Sequence, residues 1–592
     1  MRNKYLTMLF GRFKPNRKGI LYMFRIIIIM LIIFAEIQAA GSEKAVLYEP
    51  AVLRHDDAFS RTASPLAQGS HLKVFIPSLP YIYISHAING ALFRPANNQK
   101  GWQFDMAEDY RQINDMVYEF KLRKGVRFQD GTPFNADMVI LNMEYFIQAP
   151  FLWSKTHLVF DGAEKIDDYS VRFYLKEKYG QFINDLIWLQ FYTPAYLEKF
   201  GWNGKSTCPN LAEPGNYGLG PYILEQGYIE GNRQTKKAVL KANPDYWNKD
   251  YPKIQTITIY TELDTEEALK KILYQEGELD IMPIPFSRKV ETILSPYAKV
   301  ITAPSTNNWA VHFNLRNGNK RLLEKSVRIA LNQAIDQENL LNFVYDTEGI
   351  AKPTLASPLF PGVKNAVKTI RPRSELGNPG LPEEQEQLRT VLNGLCLKVL
   401  TQERFMFLWK GIEYQLGRAG VSLEFEITKS EKDIFAQLLT TNAGKNTKNW
   451  DMLIWANDDW YYNHPWSAFL VYRTHDSWST IFPDPVLDNY IDRMFITRTG
   501  TPEFETSVET IIKHVHDNAY MLYVPAPNQV MAVNKEVVFN PYKMACMPLW
   551  EIELTKDHYS VRQGNYPEKL KNPVQIVRFK ADQNSVIVKH NN

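Results

Sequence analysis

Residues 403–427 combine two hydrophobic periods that are typical of different secondary structures. Apolar residues first recur at steps of three and four, which predicts an amphipathic helix, and Gly420 is placed to end it. Apolar and polar residues then alternate from Val421 to Ile427, which predicts a strand. The apolar positions of the predicted helix are Phe405, Leu408, Trp409, Ile412 and Leu416.

The same change from strand to helix recurs elsewhere along the chain. Alternating residues predict strands at 72–76, 117–122 and 256–260. Helices are predicted at 136–147, with Asn135 as a cap, and at 265–275. Interleaved helices and strands favour α/β units with a largely parallel sheet. A chain of 592 residues is expected to divide into two to four compact units.

The charge balance excludes one large class of function. The chain has 68 basic and 65 acidic residues, a formal net charge of +3. Nucleic-acid-binding domains usually concentrate basic residues on one face, so no nucleic-acid partner is expected. Aromatic residues make up 13% of the chain, enough to line a ligand cleft as well as to fill a core.

The N-terminal region has the composition of an export signal. Seven basic residues precede an apolar run of ten residues at 26–35, and small residues follow at Ala39, Ala40 and Gly41. A bilayer-spanning helix needs roughly 20 apolar residues, so we predict a cleavable signal peptide cut near these positions. An uncleaved anchor remains the alternative, and Met23 is an alternative translation start. No cysteine follows the apolar run, which excludes a lipobox.

The three cysteines, Cys208, Cys396 and Cys546, are widely spaced and odd in number. This excludes a disulfide framework and a zinc knuckle, while one disulfide between an unspecified pair stays open.

Short catalytic motifs are missing from the sequence. Residues 204–206 read Gly-Lys-Ser, but position 199 is Lys199, where a phosphate-binding loop needs glycine. Neither a metalloprotease HExxH nor a GxSxG nucleophile motif occurs. We therefore predict no catalytic residue, no metal site, no cofactor and no enzymatic activity. A catalytic triad assembled from distant residues stays open.

Several segments together carry a family resemblance. The longest is residues 117–139, which reads VYEFKLRKGVRFQDGTPFNADMV. It resembles the strand, Leu-Arg-Lys-Gly, Asp-Gly-Thr-Pro turn and capped helix of the bacterial extracellular solute-binding proteins, family 5. Shorter matches follow in the family's order. They are MAEDY at 106–110, GLGPY at 218–222, NPDYW at 243–247, GELD at 277–280, and VRIAL at 327–331 with AID at 334–336.

This resemblance implies an α/β, two-lobed periplasmic binding protein fold. The expected form is type II and cluster C-like, with an extra subdomain in lobe one and two hinge crossings. The implied division is a signal peptide at 1–40, lobe one at 41–305, lobe two at 306–525 and a C-terminal return to lobe one at 526–592. The crossings are predicted at 304–309 and 524–528, where prolines restrict the backbone.

The resemblance also implies a function and a site. We expect a periplasmic monomer that captures a peptide or peptide-like solute between its lobes and delivers it to the permease subunits of an ABC importer. An aspartate of residues 450–470 would hold the ligand's amino group. The candidates are Asp459, or Asp458 in its place, although counting back from Pro465 puts Tyr461 at the family's aspartate. The predicted aromatic walls and crossing contacts are Trp455, Trp460, Tyr461, Trp466, Asn308 and Trp309.

Other readings remain open at this stage. The two aspartates could be surface acids beside core tryptophans. The same fold could bind a metal chelate, haem, an opine or a modified sugar. The chain could also be a secreted hydrolase, or a scaffold or chaperone whose cleft is filled by its own side chains.

Overall fold

The structure is a computed structural model of the chain. The residues it describes are 68–77, 80–148, 154–201, 210–230, 233–351, 354–369, 382–428, 431–457, 459, 461–544, 546–565, 574–579 and 586–590. The predicted signal peptide, Cys208, Asp458 and Trp460 lie outside these residues. Within them, no helix is both long enough and apolar enough to cross a membrane.

Lobe one is built on a mixed sheet with nine described strands. Its central strands are buried on both faces, as shown by Val74, Ile257, Ile281 and Val300, each 0% exposed. In sheet order the strands are Val586–His590, Val574–Phe579, Ala298–Ala303, Gln529–Asn534, Ile281–Pro283, His71–Phe75, Thr256–Tyr260, Lys237–Ala242 and Tyr222–Gln226.

A four-stranded antiparallel sheet forms a subdomain of lobe one. Phe120, Val171 and Phe173 alternate inward and are fully buried, which follows the period of two that the sequence shows here. Its strands in order are Ala107–Asn114, Val117–Leu122, Ser170–Leu175 and Phe160–Asp167.

Lobe two is built on a five-stranded sheet in the described part of the chain. Its inner strand Met452–Asn457 lies between a parallel neighbour, Cys396–Gln402, and an antiparallel one, Asn308–Phe313. In order the strands are Ser422–Thr428, Cys396–Gln402, Met452–Asn457, Asn308–Phe313 and Met521–Leu522.

Helices and short ribbons complete the two lobes. The α-helices are Pro80–Ile88, Ala136–Gln148, Thr156–Val159, Phe182–Asp185, Pro194–Phe200, Thr265–Tyr274, Lys289–Ile293, Lys325–Gln333, Gln337–Phe343, Val363–Thr369, Pro382–Leu392, Met406–Arg418, Glu431–Thr441, Trp466–Phe469, Pro485–Ile496 and Pro502–Asp517. Short paired strands are Asn210–Leu211 with Ile229–Glu230 and Arg233–Gln234, Phe93–Pro95 with Trp102–Phe104, Gly349–Ile350 with Ala526–Pro527, and Val537–Val538 with Glu553–Leu554.

The prediction of a largely parallel sheet was wrong. In the large sheet His71–Phe75 is parallel to both of its neighbours, whereas Gln529–Asn534 is antiparallel to both of its own. The reason is that Gln529–Asn534 enters from lobe two instead of following a helix of lobe one. The local elements were predicted correctly, including the helix of residues 406–418, after which Gly420 adopts a φ of +85°.

Two segments connect the sheets of the two lobes. Ala298–Ala303 belongs to the large sheet and Asn308–Phe313 to the small one, so the chain crosses at residues 304–307. It returns between Met521–Leu522 and Gln529–Asn534. In this return the short strand Ala526–Pro527 pairs with Gly349–Ile350 of lobe two.

Candidate functional site

The candidate site begins where the inner strand of lobe two ends. Met452–Asn457 leads into the 459–464 loop, which turns back toward lobe one. Asn184 of lobe one donates its side-chain N–H to the carbonyl of Tyr461 at 2.7 Å and to that of Tyr462 at 3.2 Å. The loop therefore lies at the junction of the two lobes.

Asp459 is a fully buried carboxylate in this loop, 0% exposed. The backbone N–H of Asn463 donates to both of its oxygens, at 3.0 and 2.9 Å. Burial raises the pKa of Asp459 to about 7, against the opposing effects of the Asn463 N–H, Lys543, the Thr306 hydroxyl and the His464 backbone. This carboxyl is therefore harder to ionise than an exposed aspartate.

Lys543 brings a second charge to the junction from the C-terminal part of lobe one. Its Nζ donates to Asn463 Oδ1 at 3.1 Å. Its carbonyl accepts from the Thr306 N–H at 2.7 Å and the Thr306 hydroxyl at 2.9 Å. Burial lowers the pKa of Lys543, while the nearby Asp459 opposes that shift. For both Asp459 and Lys543, burial disfavours the charged form more than the attraction between the two charges favours it.

The predicted aromatic walls lie at different depths. Trp455 is half-buried and stacks on Trp478 with ring centroids 5.5 Å apart and an interplanar angle of 10°. Tyr461 is 0% exposed and Trp466 2% exposed, and Trp466 packs edge-on against Phe495 at 4.3 Å. Asp459 and Tyr461 belong to the same loop, whereas Trp466 begins the short helix Trp466–Phe469 that follows the loop.

The two residues predicted at the first crossing have separate surroundings. Asn308 donates to the carbonyls of Thr354 at 2.9 Å and Leu355 at 3.1 Å, and among the described residues its buried Oδ1 has no hydrogen-bond partner. Trp309 lies among aromatic rings of both lobes with centroid distances of 5.4 to 6.0 Å. These rings are Phe286 of lobe one and Tyr345, Phe405 and Phe407 of lobe two.

Sequence reasoning missed Lys543, Thr306 and Asn463 as members of the site. They are brought together by the crossing segments and the C-terminal return, so no local spacing relates them. The one local signal was Asn463, because asparagine tolerates the left-handed backbone that it adopts here, with a φ of +76°.

A Ser-His-Asp arrangement elsewhere bears on the hydrolase alternative. Ser560 Oγ lies 2.9 Å from His558 Nδ1, and His558 Nε2 lies 3.1 Å from Asp280 Oδ1. However, Ser560 Oγ also accepts the backbone N–H of His71 at 2.9 Å, and His558 and Asp280 are each 1% exposed. The three residues thus link the C-terminal segment to the large sheet.

Metal and thiol chemistry have little basis in the described residues. Within them, no group of three or more His, Cys, Asp or Glu side chains could hold a metal ion. Cys396 is exposed and Cys546 buried, and both are free thiols.

Solved structures with the same architecture identify the fold. NikA from Brucella suis in complex with Fe(III)-EDTA superposes with a TM-score of 0.66 at 17% identity, covering 82% of this chain and 100% of that one. The Escherichia coli murein tripeptide binding protein MppA gives a TM-score of 0.64 at 18% identity, covering 83% and 99%. The predicted two-lobed α/β periplasmic binding protein fold is confirmed.

Sequence comparison supplies the family. The glutathione-binding protein GsiB of Escherichia coli (strain K12) is 29% identical over 264 residues, which are 42% of this chain and 48% of that protein. The match thus spans about half the length of this curated relative. Residues 102–479 match the family described as bacterial extracellular solute-binding proteins, family 5 Middle. The chain belongs to the family 5 bacterial extracellular solute-binding proteins.

Proposed function

We propose that this protein captures a small peptide or peptide-like solute between its lobes and delivers it to the permease of an ABC importer. The observation that carries the proposal is the buried Asp459 at the lobe junction, whose pKa is raised to about 7 by burial. A carboxylate held away from water is stabilised by a cation that hydrogen-bonds to it, and the α-ammonium of a peptide meets that need.

Names of related proteins support a solute of this class. GsiB is described as glutathione-binding and MppA as a murein tripeptide binding protein, so both names describe peptide ligands. NikA was solved with an iron chelate, which keeps a metal chelate as the alternative solute. Asp459 favours the peptide class because its carboxylate would repel an anionic chelate.

We also propose the assignment of the remaining site residues. Asp459 holds the amino group, with Asp458 as its substitute. Trp309 and Trp455, both half-buried, offer ring surface to the solute. Trp460, Tyr461 and Trp466, which follow the acid in sequence, are assigned to the same aromatic wall. Asn308 contributes its buried Oδ1 as an acceptor at the first crossing, since no partner for it lies in the part of the chain that the structure describes.

The lobes and their movement follow from the same proposal. We assign residues 1–40 to a cleaved export signal, 41–305 to lobe one, 306–525 to lobe two and 526–592 to the return, in a periplasmic monomer without catalytic activity. The two crossings between the sheets act as hinges, and the lobes rotate about them to enclose the solute.

Calorimetric titration with defined probes tests the proposal. Trialanine, N-acetyl-trialanine and glutathione are titrated into wild type, Asp459→Asn and Asp517→Asn. Removing one partner of a buried ion pair typically costs about 3–5 kcal/mol, so Asp459→Asn should weaken trialanine binding by roughly a hundredfold to several thousandfold. Acetylation should weaken wild-type binding similarly and affect the Asp459→Asn variant little. Asp517, whose side chain is 73% exposed, is the matched control.

Three outcomes would contradict parts of the proposal. Equal binding by wild type and Asp459→Asn would place the amine contact elsewhere. Equal binding of free and acetylated trialanine would exclude amine recognition. Failure of wild type to bind any of the three probes, with a chelate found by mass spectrometry of the co-purified material, would favour the alternative solute class.

A further inference from the structure

The side chain of Tyr462 extends from lobe two into a pocket on lobe one. Tyr462 is 0% exposed. Its ring stacks on Trp188 at 5.7 Å with an interplanar angle of 22°, and meets the His86 ring edge-on at 5.7 Å. The Tyr462 hydroxyl lies 3.0 Å from His86 Nε2. The pocket thus provides both ring stacking and a hydrogen bond for a phenol.

His86 is suited to this contact because it is neutral. It belongs to the helix Pro80–Ile88, is 6% exposed, and burial lowers its pKa to about 3. A neutral imidazole has one nitrogen that accepts a hydrogen bond, which a phenol hydroxyl can donate. His86 also packs against Trp188 at 5.1 Å, so the two sides of the pocket hold each other in place.

The backbone around Tyr462 fits lobe one closely. Gly101 has a φ of +79°, and a Cβ at this position would lie 2.4 Å from the Tyr462 carbonyl oxygen. The side-chain N–H of Asn463 donates to the carbonyl of Gln99. Glycine at 101 is therefore required for the loop to approach lobe one this closely.

The conformation of the loop indicates that lobe one imposes it. Tyr462 has a φ of +45° and Asn463 a φ of +76°, both in the left-handed region. Bulky side chains such as tyrosine avoid this region, and such strain persists only where the surroundings determine it. The contacts that do so here come from Asn184, Gly101 and His86 of lobe one.

We infer that the pocket formed by His86 and Trp188 is a phenol-binding site on lobe one, and that Tyr462 of lobe two fills it when the lobes close. The protein can then close without a solute, because its own side chain adds an interlobe contact to those that Gly180 makes with Phe495 and Asn184 with Tyr461. When the lobes open, Tyr462 is withdrawn, and a solute bearing a phenol competes with Tyr462 for the pocket. This inference does not depend on the proposed role of Asp459.

Small-angle scattering of solute-free protein tests the closure. Wild type is expected to match the profile calculated from this structure, in which Tyr462 fills the pocket, and Tyr462→Ala is expected to give a larger radius of gyration. Tyr462→Phe keeps the ring and loses the hydroxyl, so its profile should lie between them. Tyr414→Ala, a change at a lobe-two tyrosine that is 68% exposed, should match wild type. Circular dichroism and cooperative unfolding verify that each variant is folded.

Gly101→Ala tests the same interlobe contact by a change in lobe one, with Tyr462 unchanged. Its added Cβ should exclude the Tyr462 backbone and open the lobes as Tyr462→Ala does. A wild type that is open without solute, or Tyr462→Ala and Gly101→Ala variants that both scatter like wild type, would overturn the closure.

Binding of N-acetyl-L-tyrosinamide, followed by tryptophan fluorescence, tests the pocket itself. It should bind Tyr462→Ala at least tenfold more tightly than wild type, and adding Trp188→Ala should abolish the difference. Equal affinity of the probe for wild type and Tyr462→Ala would overturn the phenol site. None of these measurements uses the transported solute, so their failure leaves the proposed function unaffected.

Discussion

Two buried carboxylates lie where lobe two meets lobe one, and their surroundings differ. Glu348, 3% exposed, accepts from Lys289 Nζ at 2.7 Å and lies 3.4 Å from a guanidinium nitrogen of Arg578. Asn528, in the second crossing, donates to its other oxygen at 3.3 Å. Asp459 is more deeply buried, and the backbone N–H of Asn463 donates to both of its oxygens.

This difference separates a structural acid from a candidate binding acid. Lys289 belongs to lobe one and Glu348 to lobe two, so their ion pair fixes the two lobes to each other beside the second crossing. Asp459 keeps a strongly raised pKa because its neighbours do not compensate its burial. A cationic solute could supply the missing compensation, whereas Glu348 already has its cation.

The largest expected effect is the dependence of stability on the ionisation of Asp459. Its pKa is about 7 in the folded protein and about 3.9 when unfolded, so the native state binds the proton more tightly. Its contribution to stability is therefore full below about pH 4, is lost as the pH rises to about 7, and amounts to about 4 kcal/mol.

Urea unfolding of wild type and Asp459→Asn between pH 4 and 8 measures this effect. The difference in unfolding free energy between the two proteins should change by about 4 kcal/mol between pH 4 and pH 8. Comparison with the variant removes the contribution of Asp185, whose pKa burial also raises, to about 6. If the unfolding free energies of wild type and Asp459→Asn changed with pH in the same way, the burial of Asp459 would have to be offset by its neighbours.

Removal of the cation at the structural acid should have the next largest effect. Lys289→Met leaves the buried Glu348 with the more distant Arg578 as its cation and also removes the Lys289–Asp346 pair. We therefore expect a loss of about 3 kcal/mol in unfolding free energy. Lys410→Met is the matched control, because its pair with Glu413 is exposed and should contribute less than about 1 kcal/mol. Equal losses in the two variants would remove the distinction between the two acids.

The affinity for an amine-bearing solute should depend on pH through Asp459. Only the ionised carboxylate attracts an ammonium, so trialanine binding should weaken about tenfold per pH unit below 7, or about a hundredfold at pH 5. Above about pH 8 the peptide amine loses its own proton and binding weakens again. Calorimetric titration at several pH values measures this profile, which should be flat below pH 7 in Asp459→Asn. A flat profile in wild type would contradict the proposed contact.

The smallest predicted effect concerns the first crossing. Thr306→Val keeps the shape of the side chain but removes the hydroxyl that donates to the Lys543 carbonyl at 2.9 Å. We expect a loss of about 1 kcal/mol in unfolding free energy. Thr510→Val, which removes an exposed hydroxyl from a helix, serves as the control and should change stability less. A larger loss of stability in Thr510→Val than in Thr306→Val would indicate that the Thr306 hydrogen bond does not stabilise the junction.

The local elements were predictable because their determinants are contiguous. Val117–Leu122 and Thr256–Tyr260 have the predicted bounds, since alternation of apolar side chains reports which face is buried. The mixed direction of the large sheet was not predictable, because Gln529–Asn534 joins it from a distant part of the chain.

The candidate site was predictable only in part. The acidic and aromatic composition of residues 450–470 indicated the segment that holds Asp459. The depth of Trp466 and the approach of Lys543 depend on packing between elements far apart in sequence, which no local pattern records.

The sequence by itself determined the family, the α/β elements and the segment that contains the candidate acid, because each depends on contiguous residues. The tertiary structure decided that Glu348 forms a close ion pair. Glu348 meets Lys289 across 59 positions of sequence, while Tyr462 reaches His86 across 376. The physical reason is that burial and charge compensation are properties of the space around a side chain, and this space is enclosed only when the two lobes meet.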